Sequence, residues 1–297
     1  MDAQDPWTEA QWTRVQETVR DEAKKARVAA SFMPVQGPLP DDAQTAPLQR
    51  LTVRPRPASE PRRRLEINDH DTRRLTTLAV NVGLRGAQVV EPDLSSALVA
   101  FRRAANLIAR AEDYVVFLGQ PGANPAVPGR LAPCVIRGGA QFDGLLPIAL
   151  KQAQVPVKSQ HPVGLVSAVS RAVSHLEQEG HLGPFAVVLG HFLFDAAHSP
   201  IGTLVLPSDR IRPLIDGPLL RSSWLNQFSL VSGSPSREVP SGIVVSLADD
   251  LLDLVVAKEI SVRWIQVTRD DSPRHIFRVS QRFTVRVKQR TALVALV

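Results

Sequence analysis

The residues best suited to chemistry are the histidines, the single thiol and the adjacent acids. The histidines are His70, His161, His175, His181, His191, His198 and His275. Of these, His191 and His198 have a spacing that could chelate. Seven residues apart on a continuous helix, they fall roughly on one side, with Asp195 between them. A metal would need a third or fourth ligand and groups to orient the imidazoles. Pro200 follows closely, so ordinary polar positions are expected and no metal site is assigned. His181 reads as a turn residue. Cys134 is the sole cysteine, which excludes an internal disulfide and any multi-cysteine zinc or iron–sulfur site. It reads as a buried or indifferent thiol. Asp41-Asp42 and Asp249-Asp250 are adjacent acids, and neighbours in sequence more often serve turns and caps than face each other. Asp253 and Glu259 sit in a strand pattern and are expected to face solvent or an interface. The chain has no Gly-x-Ser-x-Gly, no His-Glu-x-x-His and no Gly-x-x-x-x-Gly-Lys-Ser/Thr. Gly83-Leu-Arg-Gly86 leads into a Pro-broken segment rather than opening a helix, so no dinucleotide turn is expected. Nothing assembles a nucleophile, a base and an oxyanion site, and the chain reads as a non-enzyme.

The elements around these residues are clearer than the chemistry. Thr8 or Asp5 can cap a first helix in which Trp12, Val15, Val19, Ala23 and Ala26 form one apolar stripe. From residue 39 to about 80, Pro40, Pro47, Pro55, Pro57 and Pro61 break any helix. There Leu48–Val53 and Leu75–Val82 read as two long strands flanking a basic, polar stretch. Pro92 to Ser96 caps the longest helix, which runs to about Phe117 before Gly119 and Pro121 end it. Residues 120 to about 160 lack a clear period. Leu165, Val166, Val169, Val173 and Leu176 then give a helix with one apolar stripe. Gly180, Gly183 and Pro184 stop it, and Phe185–Leu189 reads as a buried strand. His191–His198 is a short helix and Ile243–Leu247 a strand. Leu252–Trp264 alternates well, and His275–Val297 reads as a second pair of strands.

The chain has 297 residues, of which 44% are hydrophobic, enough for a sizeable core. No apolar run approaches the ~20 residues that span a bilayer. Met1–Pro6 has neither a basic nor an apolar leader segment, so a cytoplasmic location without membrane contact is expected. Lys and Arg total 35 against 29 Asp and Glu, a net charge of +6. Arginines cluster at Arg62-Arg63-Arg64, Arg73-Arg74 and Arg102-Arg103. Such runs solvate exposed faces or meet a polyanion. No aromatic residue is interleaved with them, which argues against a stacking platform for single strands.

Several stretches resemble the encapsulins, bacterial shell proteins with the capsid fold of phage Hong Kong 97. They are Thr8-Glu9-x-x-Trp12; Phe32-Met-Pro-Val-Gln-Gly-Pro38; Asp93-Leu-Ser-Ser96 with Ala111-Glu-Asp-Tyr-Val-Val-Phe117; Gly180-His-Leu-Gly-Pro-Phe185 running into its strand; Leu214-Ile-Asp-Gly-Pro-Leu-Leu220; and Leu252–Trp264. They occur in the family's order. The resemblance implies an α+β, Hong Kong 97 major-capsid-like fold. Its parts would be the N-terminal helix and start of a peripheral domain (1–38), an elongated loop or arm (39–82), the peripheral domain with its spine helix (83–131), an axial domain (132–252) and peripheral strands (253–297). It implies a many-copy, closed icosahedral homo-oligomer that sequesters a cargo protein through a short terminal targeting peptide. In relatives the cargo is commonly a ferritin-like iron oxidase or a dye-decolourising peroxidase. The Gly-His-x-Gly-Pro wording leans toward the iron-storing relatives. The implied cargo groove is lined by Val15, Val19, Ala23, Val255, Ile260, Val262 and Trp264, although the first three also fit plain core. The implied five-fold pore is lined by Asp216, Gly217 and Pro218. Some encapsulins hold a flavin on a Trp after the arm. Here Val82-Gly-Leu-Arg-Gly86 has no aromatic residue, so neither a flavin nor any other cofactor is expected. The alternative is a phage or prophage capsid protein enclosing DNA, for which the basic charge speaks.

Overall fold

The computed structural model describes residues 6–40, 42–53, 65–157, 162–200, 205–226, 241–248, 251–268 and 272–297. Asp5, Asp41, Arg62-Arg63-Arg64, His161 and Asp249-Asp250 lie outside the described residues. In chain order the elements begin with α1 (Glu9–Ala26), β1 (Val35–Gln36), β2 (Thr45–Pro47), β3 (Arg50–Val53), β4 (Leu65–Asn68), β5 (Thr72–Arg74) and β6 (Thr76–Arg85). Next come α2 (Gly86–Val89), α3 (Ser95–Leu118), β7 (Val135–Gly138), α4 (Leu145–Gln152), β8 (Gln154–Val155), α5 (Pro162–Gln178) and β9 (Phe185–Leu189). The remainder are α6 (His191–Ala197), α7 (Pro207–Ile215), β10 (Leu219–Arg221), β11 (Gly242–Ser246), β12 (Leu252–Val267), β13 (Arg274–Val287) and β14 (Leu293–Leu296).

Thr8 opens α1 with a reciprocal cap. Its hydroxyl oxygen accepts from the Gln11 N–H (3.4 Å), and the Gln11 amide oxygen accepts from the Thr8 N–H (3.0 Å). Val15, Val19 and Ala23 recur every fourth residue and are wholly buried. The cap of α3 differs from the sequence expectation. Glu91, four residues upstream of Ser95, caps it by accepting from the Ser96 N–H (2.9 Å), the Ser96 hydroxyl (2.7 Å) and the Ser95 hydroxyl (3.2 Å). These bonds, led by that of the Ser96 hydroxyl, hold the Glu91 carboxyl below its ordinary range.

Two five-stranded sheets organise the chain. The first has the order β1-β12-β13-β6-β7. One face carries Leu78, Val80, Val82 and Leu84 of β6 and Phe277, Val279 and Phe283 of β13, packed in one core with α1 and α3. Trp7 stacks on Phe277 at 4.5 Å, and its indole N–H donates to the Val89 carbonyl (2.9 Å). Burying each such aromatic contributes on the order of 3 kcal/mol. The second sheet has the order β10-β9-β11-β14-β8. Its strands β9, β11 and β14 are buried on both faces, which is why they read as unbroken apolar runs. Phe185, Val187, Leu189, Val244, Val294 and Leu296 face α5 and α7. Ala186, Val188, Ile243, Val245, Leu293 and Ala295 join the first core.

Several pairings depart from the sequence reading. Leu75–Val82 is not the partner of Leu48–Val53. Thr76–Arg85 pairs with β13 and β7 inside the first sheet, while β3 pairs with β4 and β2 with β5. His275–Val297 is not a strand pair either: β13 belongs to the first sheet and β14 to the second. Gly86 does open a helix, of one turn. The stretch without a period, 120–160, holds β7, α4 and β8, too short for a pattern to show.

Candidate functional site

Helix α1 lies against β12, whose outer edge is paired with β1 only at Leu254 and Val255. Further along, Gln16 stands in for a strand. Its side-chain amide donates to the Val262 carbonyl (2.7 Å) and accepts from the Val262 N–H (3.1 Å). Val15, Val19, Ala23, Ile260 and Val262 are buried in the core that α1 and β12 share, so their side chains hold the two elements together. Trp264 is half-buried at the margin of this core, directly opposite Phe277 in the ladder. Its indole N–H is buried without an acceptor. Val255 lies on the other face of the sheet, with Ala46, Leu75 and Ala257 beneath the root of the arm. Six of the seven residues assigned to the groove are thus gathered at one seam, and Val255 is separated from them by the thickness of the sheet.

The Asp216–Pro218 turn follows α7. Asp216 is exposed in the left-handed region (φ 49°), with its N–H donating to the Arg212 carbonyl (3.2 Å). A Cβ on Gly217 would lie 2.3 Å from the Phe185 carbonyl oxygen, so the chain passes β9 too closely for any larger residue. The Pro218 carbonyl accepts from the Val187 N–H (3.0 Å) and starts β10 beside β9. The exposed group this turn presents is therefore the Asp216 carboxylate.

Two buried charge clusters were not anticipated. Asp253, expected at solvent or an interface, is wholly buried. Its carboxylate takes both arms of the Arg286 guanidinium, each at 2.6 Å, and the Lys288 amine at 3.2 Å. Arg286 also donates to the Gln49 amide oxygen (3.0 Å), which ties the arm to the sheet. The arm's root is further held where the Leu51 N–H donates to the Lys288 carbonyl (3.2 Å) and Arg73 donates to the Val285 carbonyl (2.9 Å). Burial first, then the neighbouring Arg50 and Arg290, lowers Arg73 to about 10. The second cluster sits on α3. Glu112 is within 3.4 Å of Arg27 and accepts from the Gln281 amide. Asp113 accepts from the backbone N–H groups of Val28 (3.0 Å) and Ala29 (2.8 Å), where the chain leaves α1. Burial raises both carboxyls, Asp113 to about 8. From sequence Glu112 reads with Arg102, Arg103 and Arg110 on the polar face of α3; the structure overturns this, because its place between Ile108 and Val115 falls on the buried stripe.

The histidines make local contacts. His191 Nδ1 is 2.6 Å from the Asn226 amide nitrogen, and His198 Nδ1 is 2.9 Å from the Phe194 carbonyl. Among the described residues no three His, Cys, Asp or Glu side chains are grouped as a metal would require. His181 is buried, with Nε2 2.8 Å from the Thr291 hydroxyl. Cys134 is buried too, and burial pushes its thiol up to about 11. Among the described residues no helix is long and apolar enough to cross a membrane.

A sheet clad by a long helix, a strand-paired arm and a second, doubly covered sheet make up the Hong Kong 97-type capsid fold. The virus-like particle of Pyrococcus furiosus shares it with a TM-score of 0.65 at 13% identity, over 98% of this chain and 100% of that one. The capsid of Myoviridae phage XM1 shares it with a TM-score of 0.57 at 12% identity, over 90% of each chain. The structure of Mycobacterium phage Adephagia does so with a TM-score of 0.59 at 12% identity, over 93% and 89%. Within that class the chain belongs to the encapsulins, the linocin family described as encapsulating protein for peroxidase, whose profile matches residues 2–129 and 135–284. It is 26% identical over 308 residues to the type 1 encapsulin shell protein EncA of Myxococcus xanthus (strain DK1622), covering 99% of this chain and 94% of that protein.

Proposed function

We propose that this chain is the protomer of a closed icosahedral nanocompartment in the cytoplasm, which takes in a cargo protein through a short terminal peptide. The observation that carries the reading is membership of an encapsulating-protein family across nearly the whole chain. Closure follows if each protomer makes heterologous contacts whose rotations return on themselves. Residues 39 to about 75 would form the arm that reaches a neighbour, the second sheet with its helices the axial domain, and the first sheet with α1 and α3 the peripheral domain; β6 thereby leaves the arm expected at 39–82, β7 the axial span expected at 132–252, and β14 the peripheral span expected at 253–297. The cargo peptide would dock along the seam of α1 and β12, at the rim above Val15, Val19, Ala23, Ile260 and Val262. There the half-buried Trp264 offers part of its apolar ring to the peptide. Repetition over many protomers supplies avidity. The Asp216–Pro218 turn would line a five-fold pore, where a ring of exposed carboxylates favours cations. The cargo would be a peroxidase or a ferritin-like iron oxidase, and the shell itself would be non-catalytic.

Negative-stain microscopy of the purified chain tests the cage, with absorbance at 260 and 280 nm read on the same peak. Closed round particles with protein-like absorbance are expected, and mass spectrometry of those particles identifies the cargo. Particles rich in nucleic acid would move the assignment to a DNA-enclosing capsid. A monomer-sized species without particles would overturn both readings.

A further inference from the structure

Beyond the arm root, the face of the first sheet turned away from α1 and α3 is open, and its charges are set against one another. In the β12–β13 ladder Arg263 stands directly opposite Arg278, and Lys258 directly opposite Arg282. At the start of β13, Arg274 stands opposite Arg85. Like charges directly opposite on one sheet face destabilise it. Arg137 of β7 joins Lys258, Arg263, Arg278 and Arg282 around an open hollow of about 670 Å³. Among the described residues the rest of its lining is Thr77, Ala79, Asn81, Pro133, Val135 and Ser280, with neither a carboxylate nor an aromatic ring. Arg282 is engaged with the Ala43 carbonyl (2.5 Å), and one N–H of Arg278 donates to Asn81 (3.0 Å). None of the ion pairs among the described residues involves Arg137, Lys258, Arg263 or Arg278.

We infer that this face binds the phosphate backbone of a nucleic acid, by charge and hydrogen-bond donors and without reading bases. Phosphate oxygens accept from guanidinium groups in forked pairs and neutralise cations that the sheet otherwise holds in mutual repulsion. With no aromatic ring among its described lining residues, base stacking is not a source of affinity. The 54–64 segment of a second copy does not fit the charge, since it contains five arginines and one glutamate. The inference does not depend on cage closure or on cargo.

The test is fluorescence anisotropy of the full chain with a short labelled oligothymidylate across a salt series. A mixed-sequence oligonucleotide and inorganic polyphosphate serve as competitors. Binding that weakens steeply with salt, with both competitors effective, is expected. Arg137→Gln with Arg263→Gln should weaken binding roughly tenfold and reduce the salt slope by about 1.4, at about 0.7 per lost phosphate contact on a single strand. Arg102→Gln with Arg103→Gln on the exposed side of α3 removes the same net charge, and should leave affinity within about twofold. Arg278→Gln alone should weaken binding less than the first pair. Equal losses in the two double variants, an unaltered R137Q/R263Q protein, failure of polyphosphate to compete, or no binding by the wild type at low salt would each overturn the inference.

Discussion

At one end of the β12–β13 ladder Asp253 stands opposite Arg286, and toward the other Arg263 stands opposite Arg278. The first pair is buried and compensated, with Lys288 and Gln49 completing its contacts. The second is a like-charge pair on an open face. Depth explains the difference. An ion taken out of water costs several kcal/mol unless it is paired and fully hydrogen-bonded, so the buried end admits only a matched set. Water screens the open end, where repulsion costs a fraction of a kcal/mol and the fold can tolerate it. One strand pair thus serves architecture at one end and leaves its charges available to a ligand at the other.

Removing the acid from the buried end should have the largest effect. Asp253→Ala strands Arg286 and Lys288 and should cost about 3–5 kcal/mol in urea unfolding; a loss below about 1 kcal/mol would erase the contrast. Next comes the helix-side face between the two ends, where Gln281 reaches Glu112 beside Asp113. Asp113 titrates near 8 in the folded chain against 3.8 when unfolded. The folded state therefore holds a proton that the unfolded chain releases. Its stabilisation is complete below about pH 4 and is lost as pH rises toward about 8. Glu112 is raised in the same direction. Asp113→Asn keeps an acceptor for the Val28 and Ala29 N–H groups, and should remove on the order of a few kcal/mol of that pH dependence. Thermal melting across this range reads it, and an unaltered slope would contradict burial as the cause.

Gln16→Ala leaves the Val262 backbone without its side-chain partners and should cost about 1–2 kcal/mol in the same unfolding assay. Arg263→Glu should have the smallest effect and the opposite sign. An acid opposite Arg278 should stabilise by about 0.2–1 kcal/mol, and the rise in wild-type stability with added salt should flatten in the variant. Destabilisation would show that the Arg263 stem packs in a way that charge alone does not describe.

What was legible in sequence was local. Thr8 or Asp5 marked the start of α1, with the Gln11 partner of Thr8 seen only in the structure, and the four-residue recurrence of Val15, Val19 and Ala23 marked its buried face. Gly180, at a φ of 86°, marked the end of α5. Phe185–Leu189 and Ile243–Leu247 read as strands from their apolar runs, and the structure has them at Phe185–Leu189 and Gly242–Ser246. The encapsulin resemblance was legible as short motifs in a fixed order, and the family profile spans them. The Glu91 cap was not legible, because it reaches α3 from before Pro92, outside the usual capping positions. Nor was the arm's return path: β4 and β5 are short and polar on one side, whereas the stronger apolar pattern of Leu75–Val82 belongs to the main sheet.

By itself the sequence determined the course and the apolar face of the long helices α1, α3 and α5 and of the apolar strands β9 and β11, since such periods depend on residues within a turn or two. Only the tertiary structure decided which charges meet. Asp113 binds the end of α1 from 84 or more residues away, and Gln16 completes an edge at Val262. Strict alternation would turn Lys258 toward the helices with Val256 and Ile260, but register shifts on either side of it bring it instead to the arginine-lined hollow. A slip of one residue exchanges the two faces of a strand. Such a slip is set by the neighbouring strands, so the alternation of β12 alone does not reveal it.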